Sequence, residues 1–227
     1  EKWNKVTHQG RLEFVEGEDI IQVVRSEVNN SCFSRLQYFG NNSIDEDAQS
    51  RVIGTYVESP FFLEMRTNRQ LGYIVWGGAR STKKSSFFIF IIQSGDYTAE
   101  NLSKQADEYT ITLPDSLKQL PDEEYLVIKN AVIEKIKEKP TSIAEKAGKY
   151  YTMAFDYDGN FDRDNQLILA VEDLSKEKAI EVLTRVLGAD TRQRATILLY
   201  AKEHEKGENT VSTFNDIIQW KNNRNYH

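Results

Sequence analysis

Histidine and cysteine are scarce in the 227-residue sequence, with three of the former and one of the latter, so metal and thiol chemistry have few places to sit. A helical H-x-x-E-H would set two histidine ligands and a glutamate base on one face for metal-assisted hydrolysis. No segment has it. The nearest is Y-A-K-E-H, Tyr200 to His204, which lacks the first histidine and follows an expected strand. His8 and His227 lie near opposite ends, and no Cys/His spacing suggests another zinc site. The expectation is a chain that binds no zinc by itself. D-Y-D-G-N-F-D-R-D, Asp156 to Asp164, places oxygen ligands at alternate positions like the start of a calcium loop. Phe161 and Leu167 stand where such a loop needs glycine and glutamate, so a loop that caps the next helix is the better account. Cys32 has no histidine near it and reads as a buried, inert thiol in a strand. Neither G-x-S-x-G nor a phosphate-binding glycine loop occurs.

Attention then falls on Pro60 to Arg80, P-F-F-L-E-M-R-T-N-R-Q-L-G-Y-I-V-W-G-G-A-R. Pro60 is expected to end a helix, after which a short polar interruption carries Arg66. The run that follows alternates. As a strand it puts Leu71, Tyr73 and Val75 on one face and Gly72, Ile74 and Trp76 on the other. Gly72, beside Tyr73, would let a second backbone approach closely. On residue types alone, Tyr73 reads as a strand tyrosine, buried and hydrogen-bonded.

The phrase M-R-T-N-R-Q-L-G-Y-I-V, Met65 to Val75, resembles the L-R-T-x-E-Q-L-G-Y-x-V segment in the last of the four homologous domains of the insulinase/pitrilysin zinc metallopeptidases. N-F-D-R-D-N, Asn160 to Asn165, is similar to a second stretch of the same family nearly a hundred residues on. The resemblance runs from about Ile20 to His204, and D-I-I-Q-W-K, Asp216 to Lys221, is similar in character to the family's C-terminal end. It implies that an N-terminal half of the same polypeptide carries the zinc, while this half closes over a peptide substrate. By the same resemblance, Arg66 and Tyr73 are the expected catalytic residues, and Arg66, Tyr73 and Gly72 the expected substrate contacts. The chemistry suits the types: a phenol can donate to the oxyanion that grows at a peptide carbonyl, and a guanidinium offers several fixed donors to a peptide backbone. Asn68 and Arg69 depart from the family pattern but leave Arg66, Gln70, Gly72 and Tyr73 in register. The alternative is a non-catalytic scaffold subunit of the same fold, similar to the core proteins of the respiratory cytochrome complex.

The elements that must position these residues can be read in order. A formal charge of −6 argues against a nucleic-acid surface, and no apolar run reaches transmembrane length. One cysteine rules out an internal disulfide. The compartment is left between bacterial periplasm and cytosol. Residues 1–18 form a lead-in with a short strand in R-L-E-F-V; Ile20–Ser26 and Cys32–Phe39 read as an antiparallel pair across an N-N-S turn. Ile44–Ser59 is helical, with Ala48, Val52, Tyr56 and Val57 on one stripe. Ser86–Gln93 is apolar on both faces, which marks a central strand, and Arg80, Lys83 and Lys84 lie at the solvated hairpin tip before it. Helices follow, broken at Pro114 and Pro140 and opened at Pro121, Ser142 and Ser175; residues 194–201 return as the last strand, and 207–227 form a tail. Hairpins, then a helical block, then one strand argue for a single α+β domain over residues 1–227: an antiparallel sheet with helices packed on one face.

Overall fold

The computed structural model describes residues 15–82, 85–207 and 210–224, so most of the lead-in, His8, His227, Lys83 and Lys84 lie outside the described residues. Five strands form one sheet: β1 (Asp19–Arg25), β2 (Ser31–Asn41), β3 (Ile74–Ser81), β4 (Ser85–Ser94) and β5 (Arg194–Tyr200). Their order is β1-β5-β2-β4-β3. β4 lies between β2 and β3, the central place that its two apolar faces predict. β1 and β2 are not neighbours as expected. The last strand, β5, enters between them, parallel to β1 and antiparallel to β2, so the sheet is mixed. Local turn chemistry at Asn29–Asn30–Ser31 marks where the chain reverses but carries no information on a strand that arrives about 160 residues later.

Alternation within the strands sets the layers. Phe33, Arg35, Gln37 and Phe39 of β2, with Phe88, Phe90 and Ile92 of β4, are buried beneath the helices. Leu36, Tyr38, Phe87, Ile89 and Ile91 lie half-buried on the opposite face. The α+β class with helices on one face is therefore observed. The largest helix, α1 (Ile44–Phe62), opens on a capping box: the Glu46 backbone N–H donates to Ser43 Oγ, and Ser43 Oγ donates to the Glu46 carboxylate at 2.8 Å. Ala48, Val52, Tyr56 and Val57 form its buried stripe.

Pro60 does not end α1. The helix passes through it to Phe62 and widens into a π-helical turn, Leu63–Asn68. Pro60 cannot donate to the carbonyl one turn back, and an interior proline costs about 3 kcal/mol. Val57, Phe61 and Met65 are completely buried around it, and their burial, at roughly 1.5–3 kcal/mol each, outweighs that loss.

The helical block is α2 (Ala99–Thr110), α3 (Leu113–Gln119), α4 (Asp122–Lys137), α5 (Ile143–Phe155), α6 (Arg163–Asp173) and α7 (Lys176–Leu187), with a short α8 (Ile217–Asn222) in the tail. Pro114 lies in the first turn of α3, just past the break from α2, Pro121 stands just before α4, and Ser142 and Ser175 cap α5 and α7 through Glu145 and Lys178 N–H groups. α5 is the least buried of the helices α2 to α7. Its Tyr151 is 62 % exposed, and of its side chains only Met153 is buried. No helix among the described residues is long and apolar enough to cross a membrane.

Candidate active site around Arg66 and Tyr73

The π-helical turn decides where Arg66 points. In the wide turn, the Arg69 N–H donates to the Glu64 carbonyl five residues back, and the Leu71 N–H reaches the Met65 carbonyl at 2.9 Å. Met65 and Leu71 are buried and anchor the turn from below. Gln70, with φ +51°, sits in the left-handed region that non-glycine residues seldom adopt, and there the chain leaves the helix. Asn68 and Arg69, the two departures from the family pattern, staple this turn. Asn68 Nδ2 and Arg69 Nε each donate to the Glu64 carboxylate at 2.8 Å, and Arg69 continues to Gln105 of α2 at 2.6 Å. Hydrogen bonds from Arg69 and Asn68 hold the Glu64 carboxyl below its ordinary range.

The close backbone approach expected at Gly72 is present. A Cβ there would stand 2.0 Å from the Gln93 carbonyl oxygen of β4, so only glycine lets the two backbones meet. The strand begins one residue beyond Tyr73, at Ile74. This corrects the expected strand face: Leu71 and Val75 are buried, whereas Tyr73 between them is 82 % exposed. The left-handed Gln70 breaks the alternation upstream of the strand. Tyr73 is therefore not a buried, hydrogen-bonded strand residue, and its hydroxyl has no partner among the described residues.

The structure brings Arg66 and Tyr73 together. The Arg66 guanidinium carbon lies 4.9 Å from the Tyr73 ring centroid and 5.7 Å from that of Phe62. Phe62 is half-exposed and stands one helical turn before Arg66, so the rings flank the cation. Arg66 makes no ion pair among the described residues. Its donors and the Tyr73 hydroxyl are free for an external acceptor. Phe62 and Gln70 escaped the sequence reading. The i, i+4 spacing of Phe62 and Arg66 was a signal for the first, but no residue-type signal marks the backbone of the second.

The other candidates separate from this site. The Asp156–Asp164 loop leads into α6, and Asn160 Oδ1 accepts from the Asp162 N–H at 3.2 Å. Arg163, from that loop's end, is buried and bonds the wholly buried Asp47 carboxylate at 2.9 Å. Cys32 lies in β2, half-buried, and burial pushes its thiol up. His204 pairs its Nδ1 with Ser31 Oγ at 2.8 Å at the start of β2, which β4 separates from β3. Among the described residues no three His, Cys, Asp or Glu side chains are grouped to hold a metal ion.

Residues 52–151 match the family model for the PQQ synthase PqqF-like C-terminal lobe, domain 4. Human insulin-degrading enzyme is 27 % identical over 182 residues, covering 80 % of this chain and 18 % of that protein. Protease 3 of Escherichia coli O6:H1 is 27 % identical over 163 residues, covering 69 % of this chain and 17 % of the relative. The crystal structure of pitrilysin shares the fold with a TM-score of 0.79 at 19 % identity, over 95 % of this chain and 24 % of that one. The chain thus spans less than a fifth of the length of these curated relatives. Fold and sequence define a peptidase-family domain. Together the matches make the chain similar to, and support its reading as, an insulinase/pitrilysin-family C-terminal domain.

Proposed function

We propose that this chain is the C-terminal, non-zinc-binding domain of a zinc metalloendopeptidase that degrades peptides. In this reading it closes a catalytic chamber whose zinc and zinc ligands belong to the N-terminal half of the same polypeptide. The residues described here do not fit a zinc site, so no chemical step is assigned to the metal through this chain. One observation carries the reading: Arg66 and Tyr73 lie side by side, and neither side chain has a hydrogen bond or ion pair among the described residues. A folded domain has no structural use for such a pair. A non-catalytic scaffold would have none either.

The roles follow from geometry. The rings of Phe62 and Tyr73 flank Arg66, which holds its donors toward a substrate backbone carbonyl. The Tyr73 hydroxyl, held by the Gln70 turn and the Gly72 contact, donates to the oxyanion that forms at the scissile carbonyl. Such a donor, fixed before reaction, contributes about 3–4 kcal/mol of transition-state stabilisation. Neither residue moves a proton to or from carbon or nitrogen. The test is direct. The isolated chain, metal-saturated and desalted, should hold no stoichiometric zinc and cleave no peptide, while co-purification with its N-terminal half should restore cleavage. One tightly held zinc per isolated chain overturns the division of labour.

A further inference from the structure

The sheet has a second face. Residues paired across neighbouring strands project to the same side, so the registers put Ile197, Ile91 and Trp76 in one row of that face and Leu36 and Ile89 in the next. The helices packed on the sheet, α1, α2 and α7, take the opposite side: Gly54 meets Ala79 there, Arg35 donates to the Asp107 carboxylate, and the Gln37 amide donates to the Val186 carbonyl. None of the five apolar residues of the two rows is packed against the hydrophobic core. Ile197 is 48 % exposed, and the other four are half-buried by their neighbours in the sheet. Arg80 stacks on Trp76 at 4.5 Å and gives the face a charged rim.

α5 is of the complementary kind. Met153, its one buried side chain, and Lys149, which pairs with Asp164, fix the side that it turns to the domain. At about 3.6 residues per turn, Ala144, Ala147, Gly148 and Tyr151 lie on the side turned away, and all four are exposed. A Cβ added at Gly148 would meet no atom within 4 Å. Small residues leading to an aromatic ring make a stripe that can lie close on a flat sheet. One domain thus presents an apolar sheet face without a helix and an apolar helix stripe without a sheet. Contiguous apolar surface of this kind marks an interaction site.

We propose that this domain exchanges helices with a neighbouring domain of the same polypeptide. α5 lies across an apolar face of the neighbour, and an apolar helix of the neighbour lies across Leu36, Ile89, Ile91 and Ile197. The matched family model describes the fourth domain of a lobe, and the chain spans only 18 % of human insulin-degrading enzyme, so relatives of that length carry ample chain to cover both faces. A charge of −6 on every copy opposes self-pairing, which favours a neighbouring domain over a second copy. This pairing is independent of peptide hydrolysis and does not rest on the function proposed above.

The experiment is hydroxyl-radical footprinting, which reads side-chain access, on the 227-residue chain and on the full polypeptide. Tyr151, Leu36, Ile91 and Ile197 should label in the first and fall several-fold in the second, while the exposed Leu126 and Val127 of α4 keep their labelling. Ala147→Glu should leave the melting of the isolated chain unchanged. In the full polypeptide it should restore labelling at Tyr151 and on the sheet face together, because each domain holds the other's helix; Ile197→Glu should do the same from the sheet side. Equal labelling of the two proteins at either face overturns the inference, and this comparison needs no variant. An equal fall at Leu126 and Val127, or restoration confined to the substituted face, also overturns it. Protection of the isolated chain that grows with concentration and accompanies a dimer in sedimentation would make a second copy the occupant. Protection of its sheet face that vanishes on deletion of residues 1–14 would make the lead-in the cover. Either result contradicts the exchange.

Discussion

Arg35 and Arg66 make the instructive contrast. Arg35 comes from β2 and is buried under the helices; its guanidinium donates to Thr196 Oγ1 at 3.1 Å, Ser103 Oγ at 3.1 Å and the Asp107 carboxylate. Arg194 of β5 joins the same carboxylate at 2.8 Å and also bonds Asp19. Burial, with Arg194 nearby, lowers Arg35 to about 10, the signature of a cation held at a cost. Arg66, on the β3 side, makes no ion pair among the described residues and stacks on two exposed rings. One arginine commits its guanidinium to tying β2, β5 and α2 together. The other has no side-chain hydrogen bond or counter-ion among the described residues, as the proposed function requires. The β1–β5 side is thus held by ion pairs between elements, although Asp19, Gln22, Arg194 and Tyr200 each keep one buried side-chain atom with no hydrogen-bond partner among the described residues, whereas the β3 side carries a cation stacked on exposed rings.

Removing a buried partner should produce the largest effect. Arg163→Met leaves the wholly buried Asp47 carboxylate with only Arg51 and Ser81, so unfolding free energy should drop by about 3 kcal/mol in urea titrations. A loss below about 1 kcal/mol would show that buried pairs do not carry the fold as the contrast requires. Asp107→Asn strips a shared counter-ion from two buried arginines. Because Asp107 is 38 % exposed, its expected cost is less, about 2 kcal/mol.

Asp107 also sets a pH dependence. Burial alone would raise its carboxyl, but Arg35 and Arg194 outweigh burial and hold it below the ordinary carboxylate range. A depressed folded value stabilises the protein above the unfolded value near 3.9 and loses that contribution as pH falls through the lower folded one. Stability should therefore decline as pH drops below about 4, and the Asp107→Asn variant should decline less steeply. Parallel curves for the two proteins would remove Asp107 from the account.

Gly72→Ala should cost about 1–3 kcal/mol, because its Cβ meets a backbone carbonyl that cannot retreat without parting β3 from β4. The smallest effect belongs to Arg66. Arg66→Ala in the isolated chain should change stability by no more than about 0.5 kcal/mol. In the active polypeptide it should raise KM and lower kcat/KM, since backbone binding is shared by ground and transition states. A destabilisation as large as that of Arg163→Met would place Arg66 with the structural arginines.

Elements with a local cause were legible in the sequence. Ser142 and Ser175 as caps, Pro114 as an interruption, the α1 stripe and β4 as a central strand all follow from spacings within a few residues. Features set by distant partners were not. β5 between β1 and β2 depends on a strand far along the chain, and the passage of α1 through Pro60 depends on the core that surrounds Phe61 and Met65. α5 has an amphipathic pattern, yet Ile143, Tyr150, Tyr151 and Phe155 are exposed, because pattern shows which face is apolar and not whether anything covers it. For the site, the family phrase named Arg66, Gly72 and Tyr73, and the predicted close approach at Gly72 is present. Period-2 alternation misplaced Tyr73 on a buried face, since the left-handed Gln70 delays the strand until Ile74.

The most direct test is Tyr73→Phe in the full polypeptide. It keeps the ring that stacks on Arg66 and removes only the donor. Thermal stability should be unchanged, because that hydroxyl is exposed and unpartnered in the fold. If it donates to the oxyanion, kcat and kcat/KM should fall together by about a hundredfold or more while KM stays nearly constant. A variant that turns over normally per folded molecule contradicts the catalytic role of Tyr73, and with it the claim that this side of the sheet is built for substrate.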